Sequence, residues 1–265
     1  MEETQKGGGE GMKKFFLLSS FLCLMMPQVV LAQSDTAGTG KIEFNDQQQV
    51  ADPENPVNPI EPEDLIPPSS DLLRLDYVPS LNFSTQKSDT NDQKYAANAM
   101  MFADDTMPRA HFIQVTDRRG TKAGWNVSVR QEKQFATAEN IELDGAMLSF
   151  DYSWTNGSDK NKAPVVKKDI IEMKIGETQE IANAKKGTGD GTWFISFGAS
   201  QNNSQGVKNT LEPRLDRDDQ VIMHDTFNKP LFLNSAIQLT VPGRTEKVIG
   251  KPYKTELTWI LSELP

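Results

Sequence analysis

Few side chains in this sequence are of the kind that do chemistry at neutral pH. It has two histidines, His111 and His224, and one cysteine, Cys23. The histidines are far apart, and neither sits in a His-Glu-x-x-His pattern that would aim two imidazoles at one zinc ion. There is no Gly-x-Ser-x-Gly elbow to raise a serine nucleophile and no lysine-bearing phosphate loop. Gly187-Thr188-Gly189-Asp190-Gly191 is glycine-rich, but it lacks the strand-to-helix context of a dinucleotide site and reads as a turn. Asp216, Asp218 and Asp219 offer clustered oxygens of the kind calcium favours, without the glycine and distal glutamate of a calcium loop. The expectation is a protein with no catalytic residue, no cofactor and no metal. The alternative that stays open is a hydrolase using two of the many carboxylates.

Tryptophan is the other residue type with binding chemistry, because its face stacks on apolar surfaces while its N–H seeks an acceptor. Trp125 shares one strand face with Val127 and Val129, and Trp259 shares one with Leu257 and Leu261. Residues two apart on a strand point the same way. The pattern favours a core role for Trp125, Val127, Trp259 and Leu261, with ligand contact as the second reading. Trp154 and Trp193 are read in the same way. Arg118, Arg119, Lys122 and Arg130 flank Trp125 and form either a cationic contact strip for an anionic polymer or an ordinary solvated surface. Lys160, Lys162, Lys167 and Lys168 are a second such cluster.

The elements that must position these residues are strands. Leu148, Phe150, Tyr152 and Trp154 alternate with polar residues, as do Ile171, Met173 and Ile175. Trp193, Ile195 and Phe197 repeat the period, followed by Ile237, Leu239 and Val241. Asn156-Gly157, Pro242-Gly243 and Gly250 with Pro252 separate the runs, as turn residues do. Short strands, each with an apolar and a polar side, predict an all-β fold: an antiparallel sandwich or barrel-like single domain over residues 72–265. Alanine and methionine over residues 92–102 suggest one short helix. Residues 200–229 are polar and break the rhythm, which predicts a long surface insertion.

Upstream, Lys13 and Lys14 precede an apolar run over residues 15–26, and Val30-Leu31-Ala32 offers small residues at the cleavage positions. That order predicts a secretory signal peptide over residues 1–32, with residues 1–11 an over-extended start. Cys23 lies within the apolar run, so the exported chain has no thiol and no disulfide. Residues 33–71 are rich in proline and acid and predict a disordered linker. Residues 33–76 hold ten acidic and two basic residues, whereas residues 77–265 hold 24 and 23. The formal net charge of −9 therefore belongs mostly to the linker. With no concentrated basic face, nucleic acid is excluded as a partner. No segment after the signal is apolar and long enough to span a membrane.

Several segments resemble the C-terminal WxL domain of Gram-positive surface proteins. Residues 253–265, with Trp259-Ile260-Leu261, are similar to that family's terminal Trp-x-Leu strand. Trp125-Asn126-Val127 matches the first motif, with Val127 in the leucine place. Residues 75–79, 113–120 and 236–242 are similar to the start of the domain, the segment before the first motif and the penultimate strand. The resemblance implies an extracellular, cell-surface protein bound non-covalently to peptidoglycan. It also implies partnership with WxL-interacting membrane-anchored proteins and other WxL proteins, in a surface complex or adhesion system. A wall-active hydrolase or a host-matrix ligand on the same scaffold is the competing expectation. No Leu-Pro-x-Thr-Gly sorting signal occurs, so sortase linkage is not expected.

Overall fold

A computed structural model describes residues 49–64 and 71–264. The expected signal peptide, and residues 33–48 of the expected linker, lie outside the described residues. Most of the period-two runs become antiparallel strands, but the run at residues 148–154 is broken at Tyr152, which is exposed with φ of +51°, and becomes two strands in different sheets. The chain opens with β1 (Ala51–Asp52), β2 (Asn55–Pro59), β3 (Leu73–Tyr77), β4 (Gln93–Asn98) and β5 (His111–Asp117). It continues with β6 (Trp125–Gln131), β7 (Met147–Phe150), β8 (Ser153–Gly157), β9 (Val165–Val166) and β10 (Ile171–Glu172). It closes with β11 (Thr178–Ala184), β12 (Gly191–Phe197), β13 (Leu211–Pro213), β14 (Phe232–Val241) and β15 (Leu257–Glu263).

These strands form three main sheets and one small hairpin. One sheet runs β3-β5-β12-β8, and a second runs β15-β6-β11-β9. The third runs β10-β7-β14-β13, with β4 paired to β14. β8 comes close to β9, and β3 to β15, so the first two sheets adjoin at both edges. The arrangement is sandwich-like. Its core draws Ile113 and Val115 from β5, Trp125, Val127 and Val129 from β6, and Trp193, Ile195 and Phe197 from β12. Leu148, Phe150, Ile237 and Leu239 of the third sheet belong to the same cluster.

Three expectations are corrected. Residues 92–102 hold no helix: β4 pairs with β14 across Leu239↔Tyr95 and Val241↔Gln93, and a free sheet edge outweighs the weak helix propensity of alanine. The strands of the first sheet are not apolar on one side only, since every residue of β5 is buried. Phe112 of β5 and Phe194 of β12 point away from the main core, into a second cluster with Tyr77, Met100, Phe102, Val50 and Ile60.

Val50 and Ile60 belong to the third correction, which concerns only the described part of the expected disordered linker, residues 49–64. β1 and β2 pair as a hairpin that lies as a strap over the first sheet. Ion pairs fasten it. Arg109 grips Asp52 with Nη2 at 2.8 Å and reaches Glu54 with Nε at 3.5 Å. The Ser200 backbone N–H donates to Glu54 at 2.6 Å, and its hydroxyl donates to the same carboxylate. Asn156 Nδ2 donates to the Pro53 carbonyl at 2.9 Å. Proline and acid usually mark solvated chain because unpaired carboxylates resist burial. Here each buried carboxylate has found a cation or a donor.

Candidate functional site

The two Trp-x-aliphatic motifs are neighbours in space. β6 and β15 pair antiparallel, with Trp259 opposite Val129 and Leu261 opposite Val127. Their environments differ. Trp125 and Val127 are fully buried. The Trp125 indole N–H donates to the Gly189 carbonyl at 2.9 Å. Gly189 has φ of +77°, and a Cβ there would come within 2.6 Å of the Trp125 indole nitrogen. The glycine-rich turn of residues 187–191 is therefore the seat of Trp125. Trp154 donates likewise to the Gly198 carbonyl at 2.7 Å, and Trp193 to the Asp190 carbonyl at 3.0 Å. Three tryptophans are thus wired into the scaffold.

Trp259 is the exception. It is half-buried on β15, which among the described residues is an edge strand hydrogen-bonded to β6 alone. Its ring meets Phe150 edge-on, with centroids 6.1 Å apart. Among the described residues its indole N–H has no hydrogen-bond acceptor, unlike the other three. Leu257, Thr258, Ile260 and Leu261 around it are half-buried too. The face-sharing that predicted a core position for Trp259 and Leu261 is present, but an edge strand covers that face only partly.

The cationic strip expected around Trp125 does not form as a unit. Arg119 Nη2 sits 2.8 Å from Asp117, and its Nη1 sits 2.6 Å from Glu263. Burial works against the Asp117 carboxylate, yet the Arg119 donors hold its pKa below the usual carboxylate range. Arg130 pairs with Glu132 at 2.9 Å. Arg118 is exposed and borders a cleft on the first sheet. Lys122 is exposed at a turn with φ of +54°. Arg119 and Arg130 are spent on carboxylates, while Arg118 and Lys122 lie exposed apart from them.

The acids singled out at residues 216–219 fold back on their own turn: Asp216 accepts from the Asp218 and Gln220 backbone N–H groups at 2.8 and 2.9 Å. Among the described residues there is no group of three or more His, Cys, Asp or Glu placed to hold a metal ion. His111 is fully buried, and burial pushes its pKa down to about 4. It faces Asn234, whose Nδ2 lies 3.1 Å from the imidazole Nδ1. That makes it a neutral structural residue.

The cleft went unnoticed in the sequence because its walls come from distant segments. It lies between the β1–β2 strap and the outer face of the first sheet, with a volume of about 620 Å³. Arg74 and Asp76 of β3 are buried in its floor and paired at 2.7 Å. Gln114 binds this pair to the strap, donating to Asp76 at 3.1 Å and accepting from the Ala51 N–H at 3.0 Å. Ser204 and Gln205, from the expected surface insertion, complete the rim. The only advance signal was the alternation of Arg74 and Asp76, two charges on one face of a strand.

A family model described as WxL domain, surface cell wall-binding, matches residues 32–265. No curated protein and no solved structure matches the chain.

Proposed function

The chain belongs to the WxL family of surface cell-wall-binding domains, an extracellular protein of the cell-wall surface, and from that premise we propose that its folded β domain attaches non-covalently to Gram-positive peptidoglycan through the β15 edge. The observation that carries this reading is the contrast among the tryptophans. Trp125, Trp154 and Trp193 have their N–H groups satisfied inside the fold. Trp259 keeps a partly exposed ring, and among the described residues its N–H has no acceptor and its strand no partner beyond β6. An aromatic face beside a free N–H suits a pyranose ring, which offers a C–H face and acceptor oxygens. The division of labour is then simple: the first motif builds the domain and the second touches the wall. The same attachment would hold the protein within a surface complex or adhesion system, beside other WxL proteins and membrane-anchored companions.

The test compares two substitutions on purified sacculi, with thermal unfolding measured on the same preparations. Trp125→Ala removes a fully buried indole and is expected to cost ~3–5 kcal/mol of stability, losing retention by unfolding. Trp259→Ala is expected to lower wall retention at a temperature where the variant remains folded, with a melting loss well below that of Trp125→Ala. Trp259→Phe, which keeps a ring without the N–H, should retain an intermediate amount. Wild-type retention by folded Trp259→Ala would refute the assignment.

A further inference from the structure

The cleft beneath the strap has the chemistry of a sugar site, and nothing in the wall-attachment reading uses it. We propose that it is a second binding site, for a neutral disaccharide segment of the wall glycan, separate from the β15 edge. The proposal rests on the wall-attachment reading for the source of the sugar, and on the cleft alone for its chemistry.

The first argument is shape. A volume of about 620 Å³ lies within the ~300–1,000 Å³ usual for small-molecule sites. The second is the division of its walls. Pro56, Val57 and Pro59 of the strap give an apolar side. Asn55, Ser158, Thr192, Ser204 and Gln205 give a polar rim, above a buried floor of Arg74, Asp76, Gln114 and Thr116. A pyranose ring is divided in the same way, with C–H bonds on its faces and hydroxyls around its edge. Side-chain amides such as those of Asn55 and Gln205 both donate and accept, and so do serine and threonine hydroxyls, which suits the hydroxyl edge of a sugar.

The third argument is charge. Among the described residues four charged ones line the cleft: Glu54 and Asp76 against Arg74 and Arg118. The signs cancel, and Arg74 is held to Asp76 at 2.7 Å. An anionic, phosphate-bearing polymer would call for an excess of cations, whereas a neutral sugar does not. The fourth is pre-organisation. Asp76 accepts from Gln114 and Thr116, and Thr116 meets Thr192 at 2.9 Å. Polar groups locked before the ligand arrives cost little to order on binding. Val57 adds a sign of an open site: it is 83% exposed at the rim, an apolar side chain that a sugar face would cover.

The probe is N,N′-diacetylchitobiose, titrated into the isotope-labelled protein while amide resonances are followed. Val57→Asp and Ser158→Trp change exposed rim positions and leave the core untouched, so their melting temperatures should equal that of wild type. The expected result is a set of shifts at residues 55–57, 114–118, 156–158 and 192–194, with affinity reduced roughly tenfold or more in each variant. Shifts confined to Trp259 and its neighbours, or variants that bind the sugar like wild type, would overturn the cleft assignment. Preference of the cleft for glycerol 3-phosphate over the disaccharide would overturn its neutral-sugar chemistry. Sacculus retention separates the two readings. Retention without shifts in the cleft defeats only this proposal, and shifts in the cleft without retention defeat only wall attachment.

Discussion

His111 shows how one buried side chain sets a condition on the whole domain. Its imidazole is neutral in the fold because burial disfavours the cation, with a pKa of about 4 against an ordinary 6.5. Above pH 6.5 neither the folded nor the unfolded chain protonates it. Between pH 6.5 and 4 the unfolded chain takes up a proton that the folded chain refuses. Stability must therefore fall as pH falls through that window, by ~3 kcal/mol at its lower end. The measurement is the melting temperature at pH 7 and pH 5, where most carboxylates stay ionised, for wild type and His111→Gln. The wild type should lose more on acidification than the variant. Equal losses would show that His111 is free to protonate in place. That the histidine belongs to no zinc pattern was legible in the sequence. Its partner Asn234 was not, because no sequence pattern ties residues so far apart.

Among elements, the strap departs most from expectation. Its composition is that of solvated chain, and the inference failed because composition does not reveal pairing. Asp52 and Glu54 are buried because Arg109 and Ser200 meet them. Removing one partner of a buried ion pair leaves the other charge stranded, at a cost of ~3–5 kcal/mol. Asp52→Ala is partly relieved by the nearby Glu54, so about 3 kcal/mol is expected, or roughly 6–12 °C in melting temperature for a chain of this size. Deleting residues 50–60 should cost more, since Tyr77, Phe112 and Phe194 then face water. A deletion variant that melts like wild type would show the strap to be loosely held. The strands themselves were easier to read: Trp125, Val127 and Val129, or Trp193, Ile195 and Phe197, carry the period in their own sequence. The outer faces of β5 and β12 were not. Phe112 and Phe194 occupy positions that alternation assigns to water, and the strap, together with Tyr77, Met100 and Phe102, explains why they are apolar. The cleft inherits the same difficulty, because residues 49–59 and 204–205, which enclose it against the first sheet, lie in the two segments that looked least structured.

At the scale of the whole molecule, attachment through folded surfaces predicts how the protein leaves the wall. No thiol lies beyond Cys23, so reducing agent should release nothing. Urea or guanidinium at concentrations that unfold the domain should release it in full, with retention and folded fraction falling along one curve. Material still on sacculi after boiling in detergent would reveal a covalent bond. Two weak contacts on one domain, at β15 and under the strap, would raise retention on a repeating polymer well above that of either alone. Free disaccharide should accordingly be a poor eluent. The strand order also governs timing. β6 is the centre of its sheet, yet its neighbours are β11 and β15, the latter ending at Glu263. Pairing across so much intervening chain is slow to nucleate. A nascent polypeptide that has produced residues 125–131 can pair them with residues 178–184 on one side, but must hold their other edge open until residues 257–263 arrive. The sheet is completed only when β15 is in place.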